Sequence, residues 1–168
     1  GLLLAKHYLR KAVGHEVSIV VFSDQQKRIV PFTEDMNLIE ARLSTLEDLS
    51  IGKGGSNISQ ALLEAEKYFV TPKGIGFGNI LLITDGEENE NISKFELAPE
   101  ISLAVLAVGT SKGGTIPLRD SRGKLRGNKK YRGKDVITKI NEGYLKSLGQ
   151  NVSNYKYWIT SSYSLPTE

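Results

Sequence analysis

One short apolar run in this chain ends abruptly in acidic residues. Residues 79–84, Asn-Ile-Leu-Leu-Ile-Thr, have the length and composition of a buried strand, and Asp85, Gly86 and Glu87 follow them directly. In an open α/β sheet, ligands bind in the crevice beyond the carboxyl ends of the strands. The sequence therefore predicts a buried parallel strand that places Asp85 where it can bind a metal ion or a substrate.

A glycine-rich loop lies about thirty residues before this strand. Gly54, Gly55, Ser56 and Asn57 precede a segment, residues 58–69, that we predict to be a helix. Its apolar residues recur at helical spacing and are Ala61, Leu62, Ala65 and Phe69. We expect the Ser56 hydroxyl to lie near Asp85, as a ligand, as a helix-capping group or as both.

Strand and helix patterns alternate along the chain. This alternation predicts an α/β fold, a doubly wound, Rossmann-like sheet of mostly parallel strands with helices on its faces. A polar turn at residues 23–27 predicts a hairpin with one antiparallel edge strand. The predicted helices are 1–13, 36–46 capped by Asp35, 58–69 and 142–148; the predicted strands are 17–22, 28–32, 79–84, 101–108 and 155–159.

Length and composition favour one domain. We predict a single domain over residues 1–160, with a basic, glycine-rich hairpin insertion at residues 112–138 and a frayed tail at residues 161–168. The chain has no cysteine, which excludes disulfides and thiolate metal ligands. No apolar run reaches the eighteen residues that a membrane span needs, so we expect this segment to be soluble.

Four stretches of the chain carry a resemblance to a known family. They are residues 16–23, 54–57, 82–87 and 105–109. Together they resemble the von Willebrand factor type A (vWA) domain. Later stretches, residues 115–120, 123–125, 135–138, 145–149 and 155–157, are similar to the bacterial aerotolerance-associated membrane proteins called Bat. The resemblance covers nearly the whole chain.

The resemblance implies a metal-ion-dependent adhesion site with Ser56 and Asp85 as ligands. Its ion would be Mg²⁺, or Mn²⁺ or Ca²⁺, bound by carboxylate and hydroxyl oxygens and completed by an acidic residue of a protein partner. The function implied is non-enzymatic protein–protein interaction, with other Bat-like proteins among the partners. The location implied is the periplasmic face of a bacterial inner membrane, to which the domain is anchored by flanking helices.

One family motif is absent from the sequence. The first metal-binding loop, Asp-x-Ser-x-Ser, does not occur, and neither does the central strand that precedes it in the family. A sheet without its middle strand exposes unpaired backbone groups on two neighbours, each costing roughly 1–3 kcal/mol when buried. We therefore expect residues before Gly1 or a partner chain to supply this strand, and the ion to bind very weakly or not at all without it.

The segment from Lys112 to Lys134 is strongly basic. It offers a second mode of binding, independent of metal, to a membrane surface or to an acidic partner. Its candidate contact residues are Lys124, Arg126, Lys129, Lys130 and Arg132. The alternative is a solvated loop without a partner. Nucleic acid is disfavoured because Tyr131 is the one aromatic residue of the segment that could stack on a base.

A Rossmann-like hydrolase is the remaining alternative, and the motifs argue against it. Residues 52–56 lack the full phosphate-loop pattern and do not follow a clear strand. Asp85 is followed two residues later by Glu87, whereas a phosphatase with a nucleophilic aspartate would have a second aspartate at that position. There is also no nucleophile-elbow motif. We therefore predict no enzymatic activity and no catalytic residues.

Overall fold

A parallel sheet of three strands organises the fold. The computed structural model describes residues 2–23, 26–46, 57–86, 96–109, 113–115, 117–119, 125–128, 130–131, 134–135 and 137–160. The helices are α1 (Leu2–Leu9), α2 (Met36–Thr45), α3 (Ile58–Glu66) and α4 (Glu142–Leu148). The longer strands are β1 (Val17–Phe22), β2 (Gln26–Thr33), β5 (Gly78–Thr84), β6 (Ile101–Val108) and β13 (Asn154–Thr160). The short strands are β3 (Val70–Thr71), β4 (Gly74–Ile75), β7 (Gly114–Thr115), β8 (Pro117–Arg119), β9 (Leu125–Asn128), β10 (Lys130–Tyr131), β11 (Lys134–Asp135) and β12 (Ile137–Thr138).

The three-stranded sheet has the order β13-β6-β5, and both pairings are parallel. β6 occupies the centre because its residues are apolar on both faces, as a strand buried on both sides requires. The predicted bounds of β6 and of α4 are confirmed, and the mixed α/β architecture with a parallel sheet is confirmed as well.

One face of this sheet packs against α3 and α4. The inward side chains of β6 alternate, so Ile101, Leu103 and Val105 are all buried. They share a core cluster with Leu62 of α3 and Leu145 of α4. Both helices therefore contribute to the same core as β6, and the hydrogen bond from the Asn141 N–H to the Gly86 carbonyl holds the start of α4 near the end of β5.

A second core cluster lies under an antiparallel pair. β1 and β2 form the predicted hairpin, which extends to Thr33, and pack against α1 and α2. The buried members of this cluster are Leu9, Val30, Ile39, Leu43 and Leu46. Asp35 caps α2 as predicted, because its Oδ1 accepts a hydrogen bond from the Leu38 N–H at 3.0 Å.

The β1–β2 ladder and the three-stranded sheet are separate in the part of the chain that the structure describes. In the described ranges, β1 pairs only with β2, and β5 pairs only with β6. The prediction that residues 79–84 form a buried strand is wrong in part: β5 lies at the edge of the sheet among the described residues, and Leu81 is 42% exposed.

The first helix is shorter than predicted. α1 ends at Leu9 rather than continuing to Val13. Tighter turns replace it, with the N–H groups of Lys11 and Ala12 bonding the carbonyls three residues earlier, and Gly14 then adopts φ +84°. No helix in the described ranges is both long and apolar enough to cross a membrane.

Candidate functional site

The carboxyl ends of the three parallel strands define one edge of the sheet. β5 ends at Thr84, β6 at Val108 and β13 at Thr160, and their registers place these ends side by side. Asp85 follows β5 directly and is exposed at this edge. This is the position that the sequence predicts for Asp85, at the end of a strand where open α/β sheets bind ligands.

The turn that carries Asp85 is held in place from two sides. The Thr84 hydroxyl oxygen accepts a hydrogen bond from the Gly86 N–H at 3.2 Å, and the Gly86 carbonyl accepts one from the Asn141 N–H at 2.8 Å. Gly86 has φ +66°, a conformation that glycine adopts without strain. A Cβ at Gly86 would lie 3.2 Å from the side chain of Ile140. The Asp85 turn is therefore a fixed feature of the fold.

Ile140 and Asn141 were not identified from the sequence as part of this edge. Ile140 is buried in the main core cluster beside Gly86 and Gly109. The Asn141 side chain caps α4 by accepting a hydrogen bond from the Tyr144 N–H at 3.0 Å. An asparagine immediately before an amphipathic helix is a recognisable capping signal, but the bond from its backbone to Gly86 is a tertiary contact without a local signature.

The start of α3 lies in the same core as the Asp85 strand. Ile58, the first residue of α3, is buried in the cluster that contains Leu82 of β5 and Ile140. The cap of α3 is Asn57, whose Oδ1 accepts a hydrogen bond from the Gln60 N–H at 2.8 Å. The alternative of Ser56 as the cap is therefore wrong, because the asparagine one residue later fills that role. Ser56 itself lies outside the described residues.

The candidate metal ligand at this edge is Asp85. Asp85 offers a carboxylate, and hydroxyl or carbonyl oxygens are the usual companions of Mg²⁺, Mn²⁺ and Ca²⁺. In the part of the chain that the structure describes, no three side chains of His, Cys, Asp or Glu are grouped closely enough to hold an ion. Among the described residues, Asp85 therefore offers one carboxylate at this edge, without a group of three such side chains around it.

The basic insertion is a series of short antiparallel pairs. β7 pairs with β12, β8 with β9, and β10 with β11. We call residues 112–138 the protrusion and its β7–β12 pair the neck. Of the candidate contact residues, Arg126 lies on β9 and Lys130 on β10, whereas Lys124, Lys129 and Arg132 lie outside the described residues, as does the predicted frayed tail.

Comparisons with known proteins agree on the family. The family model for the von Willebrand factor type A domain matches residues 2–88. The chain is similar to the crystal structure of an aerotolerance-related membrane protein from Bacteroides fragilis, with 26% identity, a TM-score of 0.69 and coverage of 96% of this chain and 81% of that one. It is similar to BatB from Bacteroides thetaiotaomicron, with the same identity, TM-score and coverage of this chain and 80% coverage of that one. The search of curated proteins gave no significant match. The chain belongs to the von Willebrand factor type A domain family.

Proposed function

We propose that this domain is a protein-interaction module without catalytic activity, and that it binds its partner at the carboxyl edge of the sheet. The observation that carries the proposal is the exposed Asp85, held on a turn fixed by Thr84, Gly86 and Asn141. A backbone turn held in this way loses little freedom on binding, which favours recognition without the conformational adjustment that a mobile loop would need.

A divalent cation, Mg²⁺ by preference, is the ligand proposed for Asp85. Asp85 and Ser56 would hold it through a carboxylate and a hydroxyl oxygen, and the ion would supply a positive centre that accepts a carboxylate from a partner protein. Because these two residues offer only one negative charge, we expect weak binding by this chain alone. An Asp-x-Ser-x-Ser loop supplied by preceding residues or by a partner chain would strengthen it.

The cellular setting is proposed from the two similar structures. One is described as an aerotolerance-related membrane protein and the other as BatB. By analogy, this domain is anchored at a bacterial inner membrane, faces the periplasm and binds other Bat-like proteins. That assignment rests on likeness in sequence and fold, which places a domain in a family but does not identify its partner.

Metal-independent binding through the protrusion is the second candidate function. It is favoured by the concentration of charge in residues 112–138, where nine Lys and Arg face two Asp, a net charge of +7. Such a surface attracts anionic lipid headgroups or an acidic protein through long-range electrostatics. A hydrolase is not favoured, since no motif for a nucleophile or a phosphate loop supports one.

The metal-dependent mode predicts which treatments abolish partner capture. The immobilised domain would be incubated with solubilised membrane proteins of its own source in Mg²⁺ or in EDTA, and the bound proteins identified by mass spectrometry. We expect a set of proteins that is retained in Mg²⁺ and is lost both in EDTA and with Asp85→Asn, because either change removes the positive centre.

The matched control is Glu40→Gln, which also removes one exposed carboxylate but lies on α2. This variant should retain the same proteins as the wild type. If the same proteins bind in EDTA and to Asp85→Asn as strongly as to the wild type in Mg²⁺, the metal-dependent mode is wrong.

A further inference from the structure

β13 is an outer strand of the parallel sheet, and its pairing is regular along its whole length. All seven of its residues, Asn154–Thr160, pair with β6 in one register without a bulge. Among the described residues, β6 is its only neighbour in a sheet. The other side of such a strand presents a row of backbone N–H and C=O groups that can pair with another chain.

The hydrogen bond at the end of β13 identifies the residues of that row. The Thr160 carbonyl accepts a hydrogen bond from the Gly109 N–H at 2.9 Å, so the backbone of Thr160 faces β6. Successive residues of a strand direct their backbone groups to opposite sides. The N–H and C=O groups of Tyr155, Tyr157 and Ile159 therefore face away from β6, along the outer edge of the sheet.

The outer edge of β13 lacks the features that protect a strand edge from pairing. β2, an outer strand of the β1–β2 pair, contains the exposed residues Pro31, Lys27 and Arg28, and its register with β1 is irregular. Proline, clustered charge and bulges all hinder the addition of a further strand. β13 has no proline and no bulge, and Lys156 is its one charged residue. Its edge is therefore suited to strand addition.

Two copies of β13 are complementary to one another in one antiparallel register. When Tyr157 lies opposite Tyr157 of the second copy, Tyr155 lies opposite Ile159. Every outward residue then meets an outward residue, and each N–H faces a carbonyl of the other copy. This register uses the full length of the strand. A register centred on Lys156 would instead place two lysines directly opposite one another, which is destabilising.

The same register gives a favourable pair of side chains on the second face of the sheet. Tyr155, Tyr157 and Ile159 pack toward the main core, so the alternate residues Lys156 and Trp158 lie on the opposite face. Lys156 is exposed and Trp158 is half-buried. Between the two copies they form a pair without backbone hydrogen bonds, in which the Cα atoms are about 4.5 Å apart. A lysine ammonium beside an indole ring is attracted to it, and two-fold symmetry forms this contact twice.

From this complementarity, we infer that β13 is a self-association edge, through which two copies of the domain join antiparallel into one continuous sheet. The occupant is a second copy of this chain, because the register matches outward backbone groups, pairs Lys156 with Trp158 and avoids like charges when β13 meets itself. β13 and β5 are the two outer strands of the sheet, with β6 between them. The inference therefore does not involve the Asp85 turn and does not depend on the proposed function.

The test measures the molar mass of the domain over a range of concentrations by analytical ultracentrifugation, with circular dichroism to check the fold of each variant. Trp158→Lys places a lysine opposite Lys156 of the other copy. The double variant Lys156→Glu with Trp158→Lys restores opposite charges across the same pair. The matched control is Phe77→Lys, which also replaces an aromatic residue by lysine but is 91% exposed and precedes β5.

We expect the wild-type mass to rise from 18.5 kDa toward twice that value as the concentration increases. Trp158→Lys should raise the dimer dissociation constant at least roughly tenfold, the double variant should recover most of that loss, and Phe77→Lys should change it about twofold or less. A wild type that stays monomeric up to about 1 mM overturns the inference. So does a dimer that Trp158→Lys leaves unchanged, or one that the double variant does not restore.

A disulfide test keeps the inference falsifiable if Trp158→Lys fails to fold. The chain has no cysteine, so Tyr157→Cys introduces a single thiol at the proposed two-fold axis. The two Cα atoms of this hydrogen-bonded pair would be about 5.5 Å apart, within the span of a disulfide. Mild oxidation should give a covalent dimer of Tyr157→Cys, whereas Lys73→Cys, an exposed site between β3 and β4, should stay largely monomeric. Equal yields of dimer from the two variants would overturn the inference.

Discussion

At the scale of single residues, Asn57 has the capping role that the sequence also allowed for Ser56. Asn57 caps α3 through its side-chain oxygen, which accepts from the Gln60 N–H at 2.8 Å. The proposed role of Ser56 is to offer a hydroxyl to the metal ion. Adjacent residues can therefore be tested for stability and for binding separately.

Substitution at these two positions should affect different properties. Asn57→Ala should lower the free energy of unfolding by about 1 kcal/mol, because an orphan N–H at the helix start loses its acceptor. Asn57→Asp should retain most of that stability. Ser56→Ala should leave the free energy of unfolding nearly unchanged and weaken Mg²⁺-dependent binding. Urea unfolding and metal titration measure the two effects, and a larger stability loss at position 56 than at position 57 would contradict this division.

At the scale of secondary structure, two tyrosines connect β13 to α4. The Tyr155 O–H donates to the Leu145 carbonyl at 2.6 Å, near the end of α4 where helix carbonyls lack partners within the helix. The Tyr157 O–H donates to Glu142 Oε1 at 3.1 Å, and Lys146 forms an ion pair with the same carboxylate at 3.0 Å. α4 in turn follows Asn141, so these contacts also support the Asp85 turn.

Removal of the Tyr155 hydroxyl should destabilise the protein in a pH-dependent way. Tyr155→Phe should lower the free energy of unfolding by about 1 kcal/mol at neutral pH, since a part-buried carbonyl loses its donor. Burial, with smaller contributions from Tyr157 and Tyr144, raises the pKa of Tyr155 well above its ordinary value. Because the folded-state pKa is the raised one, this contribution is complete below about pH 10, the unfolded-state value, and is lost as the pH rises toward the folded-state pKa.

Urea unfolding of both proteins from neutral pH to about pH 12 measures this effect. The gap between wild type and Tyr155→Phe should narrow above about pH 10. Tyr157→Phe is the matched control and should cost less at neutral pH, because its partner Glu142 is partly exposed and water can replace the lost bond. A gap that stays constant over this range would contradict the assignment.

The elements differ in how far the sequence determines them. The bounds of β6 follow from an apolar run, and the start of α2 follows from the Asp35 cap, so both can be predicted from the local sequence. The exposure of Leu81 cannot be predicted from the local sequence, because it depends on which strands and helices cover β5. The hydrogen bond from Asn141 to Gly86 joins residues 55 positions apart, and only tertiary packing creates it.

At the scale of the whole molecule, the fold brings residues 140–141, which follow the basic segment, to the turn after the apolar run that ends in Asp85. From the sequence, the Asp85 site and the basic segment are alternative modes of binding a partner. No local pattern indicates that residues 140–141 return to the Asp85 turn. The hydrogen bond from the Asn141 N–H to the Gly86 carbonyl supplies that link, at the edge where the three parallel strands end. The candidate site is thus a property of the topology as well as of its residues.

The most direct test of the central claim is Mn²⁺ broadening of amide signals in the ¹H–¹⁵N NMR spectrum. Mn²⁺ replaces Mg²⁺ because both prefer oxygen ligands, and it broadens nearby signals even when binding is weak. As Mn²⁺ rises, the amide signals of Asp85, Gly86 and Asn141 should broaden first, and Asp85→Asn should abolish this preference. Broadening that begins at carboxylates elsewhere, such as Glu40 or Glu100, and is unchanged by Asp85→Asn would contradict the claim that this edge is the metal-binding site.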